Sequence, residues 1–210
     1  MIYCQRCVMP VSAVASSFNE KQICSACEYH NVYESLSDSD WADRKKIFEK
    51  ILNENKSNSN YDCIIPVSGG KDSYFQAHKI VKEFKLKPLL VTYDGNNYLE
   101  EGIYNRNKMR EVFDADHIVF GPSVKSLIKL NKHCFKIMGD MNWHSHCGIF
   151  TYPFQIAEKF EIPLLIWGET FWDISGMYDA NDMVEFTKRM HVEHNLRGFE
   201  WNDFLNDPVD

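Results

Sequence analysis

The sequence predicts an α/β fold with a doubly wound, mainly parallel sheet, preceded by a small four-cysteine zinc knuckle. Three features carry that expectation. Short β-branched or leucine-rich runs alternate with stretches whose apolar residues recur at helical spacing, the pattern of βαβ units. One of these runs, at 61–67, passes straight into Gly69-Gly70 and then into a helical stripe. Near the amino end, four cysteines stand as CxxC, sixteen residues, CxxC.

The 210 residues suffice for one good core and a small appendage, and 44% hydrophobic content is that of a soluble globular protein. No uninterrupted apolar run approaches the roughly eighteen residues of a membrane helix, and the amino end has no basic-then-apolar signal pattern. A cytoplasmic protein with no membrane partner is therefore expected. The formal net charge of -7 argues against a nucleic-acid partner, which needs a positive surface to meet phosphates. Seven cysteines in such a chain point to metal or chemistry before disulfides.

In chain order, Cys4, Cys7, Cys24 and Cys27 come first. Each CxxC turn aims two thiolates at one point, and two such turns supply a closed, tetrahedral and structural Zn²⁺ site. This stretch has too few apolar residues to fold without metal. A helix is expected over 38–55, with Trp41, Ile47, Phe48, Ile51 and Leu52 on one stripe and Ser37 or Ser39 as cap. The polar run KSNSN at 56–60 is a joint.

At YDCIIPVSGGKDS, 61–73, Ile64, Ile65 and Val67 read as a buried strand, and Ala77, Ile80, Val81 and Phe84 as the stripe of the helix that follows. Helix amino termini carry unpaired N–H groups and partial positive charge, so this turn suits an anion. Gly69 and Gly70 can adopt positive φ and let phosphate approach the main chain. Ser68 and Ser73 offer hydroxyls, Lys71 a charge, and Asp72 a Mg²⁺ ligand or a helix cap. The spacing is not that of a Walker A loop.

PLLVTY at 88–93 reads as a second buried strand closed by Asp94-Gly95, which places Tyr93 and Asp94 at the ligand side of a doubly wound sheet. A weakly periodic helix over 99–113, a short strand at 117–120 and a helix with Val124, Leu127, Ile128, Cys134, Ile137 and Met138 on its stripe follow. His144, His146 and Cys147 lie close together just ahead of a further helix, whose stripe is Ile149, Pro153, Ile156, Ala157 and Phe160. A second metal site, a catalytic Cys147, substrate contacts and a plain capped turn all remain open there. PLLIW at 163–167 is a fourth strand, with Gly168 and Glu169 at its carboxyl end, where a carboxylate can hold Mg²⁺ or orient an attacking amine. Asp173 and Ser175-Gly176 extend the same mouth. Farther on, Met183, Phe186 and Met190 form a short helical stripe, and Trp201, Phe204 and Leu205 a docking edge.

SGGKDS at 68–73 resembles the PP-loop of the ATP pyrophosphatases, which split ATP between the α and β phosphates and place AMP on a carbonyl-type oxygen. Together, the cysteine knuckle, the Trp41 helix, YDCIIPVSGGKDSYFQ and IPLLIWGE resemble the N-acetyl sugar amidotransferases of bacterial surface-polysaccharide and nonulosonic-acid synthesis. The resemblance implies an adenine-nucleotide-hydrolase-like fold and an ATP- and Mg²⁺-dependent exchange of acetamido oxygen for ammonia. Together with the strand-end positions above, it puts nucleotide contacts at Val67, Ser68, Gly69, Gly70, Lys71, Asp72, Ser73, Tyr93, Asp94 and Gly168, with Lys71, Asp72, Ser73 and Glu169 as the catalytic set. The implied partners are a nucleotide-linked N-acetyl sugar, a separate glutaminase and a cyclase-like subunit that conducts ammonia. A PP-loop tRNA thiolation or modification enzyme is the alternative. The expected organisation is a knuckle at 1–37, a connecting helix and linker at 38–60, the PP-loop domain at 61–176 and a helical segment at 177–210.

Overall fold

The computed structural model describes residues 2–12, 17–56, 60–95, 98–168, 188, 192, 196–200 and 203. It divides into two compact units: one holds the described residues up to Ile51, the other those from Leu52 onward.

In the first unit, α1 (Ser25–Glu34) follows the cysteine turns, and α2 (Asp38–Glu54) runs across the division. Ser37 caps α2: its Oγ accepts the Asp40 N–H at 3.3 Å, and the Asp40 carboxylate accepts the Ser37 N–H at 2.8 Å. That is a reciprocal capping box. Of the expected apolar stripe only Leu52 is buried, while Trp41 and Ile47 stay exposed. Trp41 packs edge-on against Tyr33 of α1, 5.6 Å between rings, and lies under the Arg44 guanidinium.

The second unit holds the sheet. Strands β1 (Cys63–Pro66), β2 (Pro88–Tyr93) and β3 (His117–Phe120) pair in parallel in that order. On the free side of β1 the segment 163–167 contributes one parallel bridge, Ile64 to Leu165. Two bonds frame it, Ile64 N–H to the Leu164 carbonyl at 2.9 Å and Ile166 N–H to the Ile64 carbonyl at 2.8 Å. The expected fourth strand is thus present as a single bridge. Strand order reverses between β1 and this segment, and a reversal in a parallel sheet opens a crevice beyond the strand carboxyl ends.

Helix α3 (Lys71–His78), which continues as a π-helical turn over Lys79–Glu83, and α4 (Glu100–Phe113) are the crossovers that link β1, β2 and β3. Helices α5 (Val124–Met138) and α6 (Trp143–Lys159) follow, and α6 closes the other face of the sheet through Ile156 against Ile64, Leu89 and Val91. Ile65 and Leu90, also fully buried, alternate to the side of α3 and α4. The sheet is therefore covered on both faces. Among the described elements α5 packs chiefly on α6, and Leu127 and Cys134 are buried while Val124, Ile128 and Ile137 from the same expected stripe are exposed.

Thr92 ties the strands together below the ligand end. Its hydroxyl donates to the Val67 carbonyl and lies 2.8 Å from His117 Nε2. Burial, with Arg106 and Arg110 nearby, pushes the His117 imidazole down to about 4. Between that value and the ordinary 6.5 the unfolded chain binds the proton that the folded chain refuses, so stability falls as pH drops through this window. With partial solvent screening the loss is on the order of 2 kcal/mol. Denaturant titrations from pH 6.5 to 4 are expected to show a smaller loss for His117→Gln than for the wild type; parallel losses would remove His117 from the account.

Candidate functional site

The turn after β1 stands at the strand-order reversal. Gly69 has φ +83°, the region that favours glycine, and Gly70 is at -76°. Positive φ was expected to be open to both glycines, and only Gly69 uses it. A Cβ on Gly69 would lie 2.6 Å from the Arg106 nitrogen and 2.8 Å from its Cα, so the turn rests on the backbone of α4. Gly70 is exposed and opens α3 as its N-cap, with only the Ser68 hydroxyl near its Cβ position.

Ser73 is buried and holds the turn closed: its Oγ accepts the Ser68 N–H at 3.0 Å and lies 3.3 Å from Ser68 Oγ. Lys71 and Asp72 are exposed on the first turn of α3, with Lys71 Nζ 2.8 Å from Asp72 Oδ1. Thus Ser68 and Gly70, with Lys71 and Asp72, present polar groups to solvent at a helix amino terminus, while Val67, Gly69 and Ser73 form its buried support.

At the end of β2, the Asp94 N–H donates to the Phe120 carbonyl at 2.7 Å and its carboxylate accepts from Arg106 Nη1 at 2.8 Å. Tyr93 lies between Phe120 and His144, its hydroxyl 3.4 Å from His144 Nδ1. Burial raises its phenol, with the Cys147 sulfur adding to the effect. Gly168 closes the third side: a Cβ there would fall within 1.8 Å of the Gln76 side-chain amide, so α3 and the end of 163–167 touch. Glu169, Asp173, Ser175, Gly176, Met183, Phe186, Met190, Trp201, Phe204 and Leu205 lie outside the described residues.

His144, His146 and Cys147 fall inside α6, one turn earlier than the sequence suggested. Pro153 sits within the helix, as the stripe predicts, and Gly148 lies inside it as well. Gly148 is there because the Tyr93 ring occupies the space of its missing Cβ, at 2.3 Å. His144 is buried, and desolvation lowers its imidazole. The Cys147 thiol is pushed up to about 12, by burial first and Cys134 next, so it is no ready nucleophile. Cys63 and Cys134 are fully buried.

Sequence reasoning missed Gln76, Tyr98, Arg106 and Gly148. Arg106 stands in a weakly periodic helix where an arginine reads as solvent-facing, and nothing beside Gly148 in the sequence points to Tyr93.

In the first unit the four sulfurs of Cys4, Cys7, Cys24 and Cys27 lie within 4.8 Å of one another, with Cys4 to Cys27 at 3.9 Å and Cys7 to Cys24 at 3.6 Å. Metal–sulfur bonds of about 2.3 Å in a tetrahedron place sulfurs about 3.8 Å apart, so the donor set fits one ion. Burial pushes the Cys4 thiol up, but the Cys24, Arg6 and Cys7 main chain outweighs it and brings Cys4 down to about 6. The Cys24 and Arg6 N–H groups donate to its sulfur at 3.3 and 3.4 Å. Burial and the adjacent sulfurs raise Cys27, a repulsion that a divalent cation would relieve.

No known protein-family profile matches the chain. It is 26% identical over 117 residues to the uncharacterized protein MJ1599 of Methanocaldococcus jannaschii, a match covering 54% of this chain and 40% of that one. The chain thus spans less than half the length of this curated relative. Three solved structures are similar in part. NMN synthetase from Francisella tularensis has a TM-score of 0.45 and 13% identity over 60% of this chain and 55% of its own. NH3-dependent NAD synthetase from Campylobacter jejuni has 0.46 and 12%, over 63% and 58%. The U34-tRNA thiolase NcsA from Methanococcus maripaludis, solved with its 4Fe-4S cluster, has 0.40 and 16%, over 81% and 55%. Among the described residues no helix is long and apolar enough to cross a membrane.

Proposed function

We propose that this protein is an ATP-dependent, AMP- and pyrophosphate-forming amidotransferase that converts the acetamido group of an N-acetyl sugar to an acetamidino group. The observation that carries the nucleotide half is the SGGKDS turn, with Gly69 at positive φ and Gly70 opening α3 beside the reversal of strand order. The sugar half rests on the sequence resemblance.

An amide carbonyl resists ammonia because its oxygen leaves poorly. Attack of the acetamido oxygen on the α-phosphate of ATP forms an O-adenylyl imidate and releases pyrophosphate. Ammonia then adds to the imidate carbon, AMP departs with the former acetamido oxygen, and the amidine remains. Lys71 and the N–H groups at the start of α3 are suited to charge growing on the leaving pyrophosphate, and Ser73 holds the turn that aims them. Asp72, Glu169 and Gly168 complete the proposed set, with Val67, Tyr93 and Asp94 flanking the nucleotide. A bound Mg²⁺ would supply charge neutralisation on the phosphates. The four cysteines would hold a structural Zn²⁺, ammonia would come from a separate glutaminase through a cyclase-like subunit, and the sugar would be nucleotide-linked.

Mass spectrometry of UDP-N-acetyl sugars incubated with the protein, Mg·ATP and ammonium salt tests the reading. The expected product is lighter by the difference between an oxygen atom and an NH group and forms in step with AMP. AMP formation that requires tRNA and a sulfur donor would replace this reading with tRNA thiolation, against which the protonated Cys147 thiol counts.

A further inference from the structure

Arg106 joins two segments of the candidate site that the sequence gives no reason to connect. It lies in the middle of α4, 6% exposed. Its main chain abuts Gly69, and its guanidinium donates to the Asp94 carboxylate at 2.8 Å while stacking on the Tyr98 ring at 4.8 Å. The end of β1 and the end of β2 are thus held against one residue, from its backbone side and its side-chain side. Tyr74 of α3 anchors the same turn of α4, donating to the Asn105 carbonyl at 2.7 Å.

We propose that Arg106 is a positioning residue that fixes the distance between the phosphate-binding turn at Gly69 and the nucleoside side at Asp94. This rests on the ATP reading of the site. A buried ion pair is weak evidence for stability, because desolvation of both charges offsets their attraction. It does define one geometry, and the planar, permanently charged guanidinium defines it more sharply than a lysine ammonium can. A nucleotide spanning both segments gains affinity when their separation is set before binding.

Two variants test this, Arg106→Lys and Arg106→Gln, which remove the guanidinium fork while leaving Asp94 in place. Mg·ATP binding is measured by calorimetry alongside the thermal midpoint. Hydrogen exchange is followed at the Ser68, Gly70 and Asp94 amides in nucleotide-free protein. Both variants are expected to fold and to bind Mg·ATP on the order of tenfold more weakly, the size of coupling within one ion-pair network. Exchange at those three amides is expected to rise while that of Leu90 and Val91 is unchanged. In steady state the KM for ATP should rise more than kcat falls. Wild-type binding with unchanged exchange in either folded variant would overturn the proposal. If the wild type itself binds no Mg·ATP, the nucleotide reading fails separately, and the exchange data still decide whether Arg106 joins the two segments.

Discussion

Replacement of Cys24 by serine is expected to release the metal of the amino-terminal unit and to unfold the cysteine turns with it. Cys24 is fully buried, and its main-chain N–H also donates to Cys4 Sγ, so one residue supplies a ligand and stabilises another. Among the described residues the surrounding core is small: Cys4, Cys24 and Cys27, with Met9, Phe18, Ile23 and Ala26 partly buried against them. Such a cluster cannot offset the conformational entropy of ordering the turns, on the order of 1–2 kcal/mol per residue. Structural zinc sites contribute an apparent 10–16 kcal/mol or so in small knuckles, which makes metal binding and folding one event. Elemental analysis of the purified variant should show about one metal ion lost per chain, and exchange protection should vanish at the Cys4, Gln5 and Ser25 amides, whose bonds cross the cluster. Strands β1 and β2 belong to the other unit and should keep their protection. Full metal retention in the variant would refute the four-thiolate assignment.

Gly69→Ala is expected to destabilise the sheet unit strongly. Placing an L-residue at φ +83° costs roughly 1–2 kcal/mol by itself. The new methyl would also meet the Arg106 nitrogen at 2.6 Å and its Cα at 2.8 Å, backbone atoms that cannot rotate away. Either α4 shifts or the turn opens, for a total of about 3 kcal/mol and loss of the proposed ATP-dependent turnover. Gly70→Ala is the control, because Gly70 has φ -76° and its Cβ would meet only the Ser68 hydroxyl at 3.4 Å. That variant should lose less than about 1 kcal/mol. Denaturant melts of the two proteins check the contrast, and equal midpoints would mean that the turn does not rest on α4.

The sequence shows most where a residue's type and its neighbours suffice. PLLVTY, bounded by a proline and by Asp-Gly, marks β2 at Pro88–Tyr93, and the cysteine spacing marks the sulfur cluster. It shows least where a contact joins distant segments. Arg106 is of a type usually found at the surface, and its burial comes from the approach of Gly69, Asp94 and Tyr98. Gly148 has no turn to serve; it is small because a tyrosine from β2 needs the room. Stripes also overstate burial. Val124, Ile128 and Ile137 have the right period, but among the described elements α5 packs chiefly on α6.

Adenylylation of the acetamido oxygen, as proposed, can be followed with an isotope label on that oxygen. An N-acetyl sugar carrying heavy oxygen in its acetamido carbonyl, incubated with the protein, Mg·ATP and ammonium salt, should yield AMP with one heavy oxygen on phosphorus and an amidine product with none. Unlabelled AMP formed together with an unchanged, fully labelled sugar would rule out adenylylation of that oxygen.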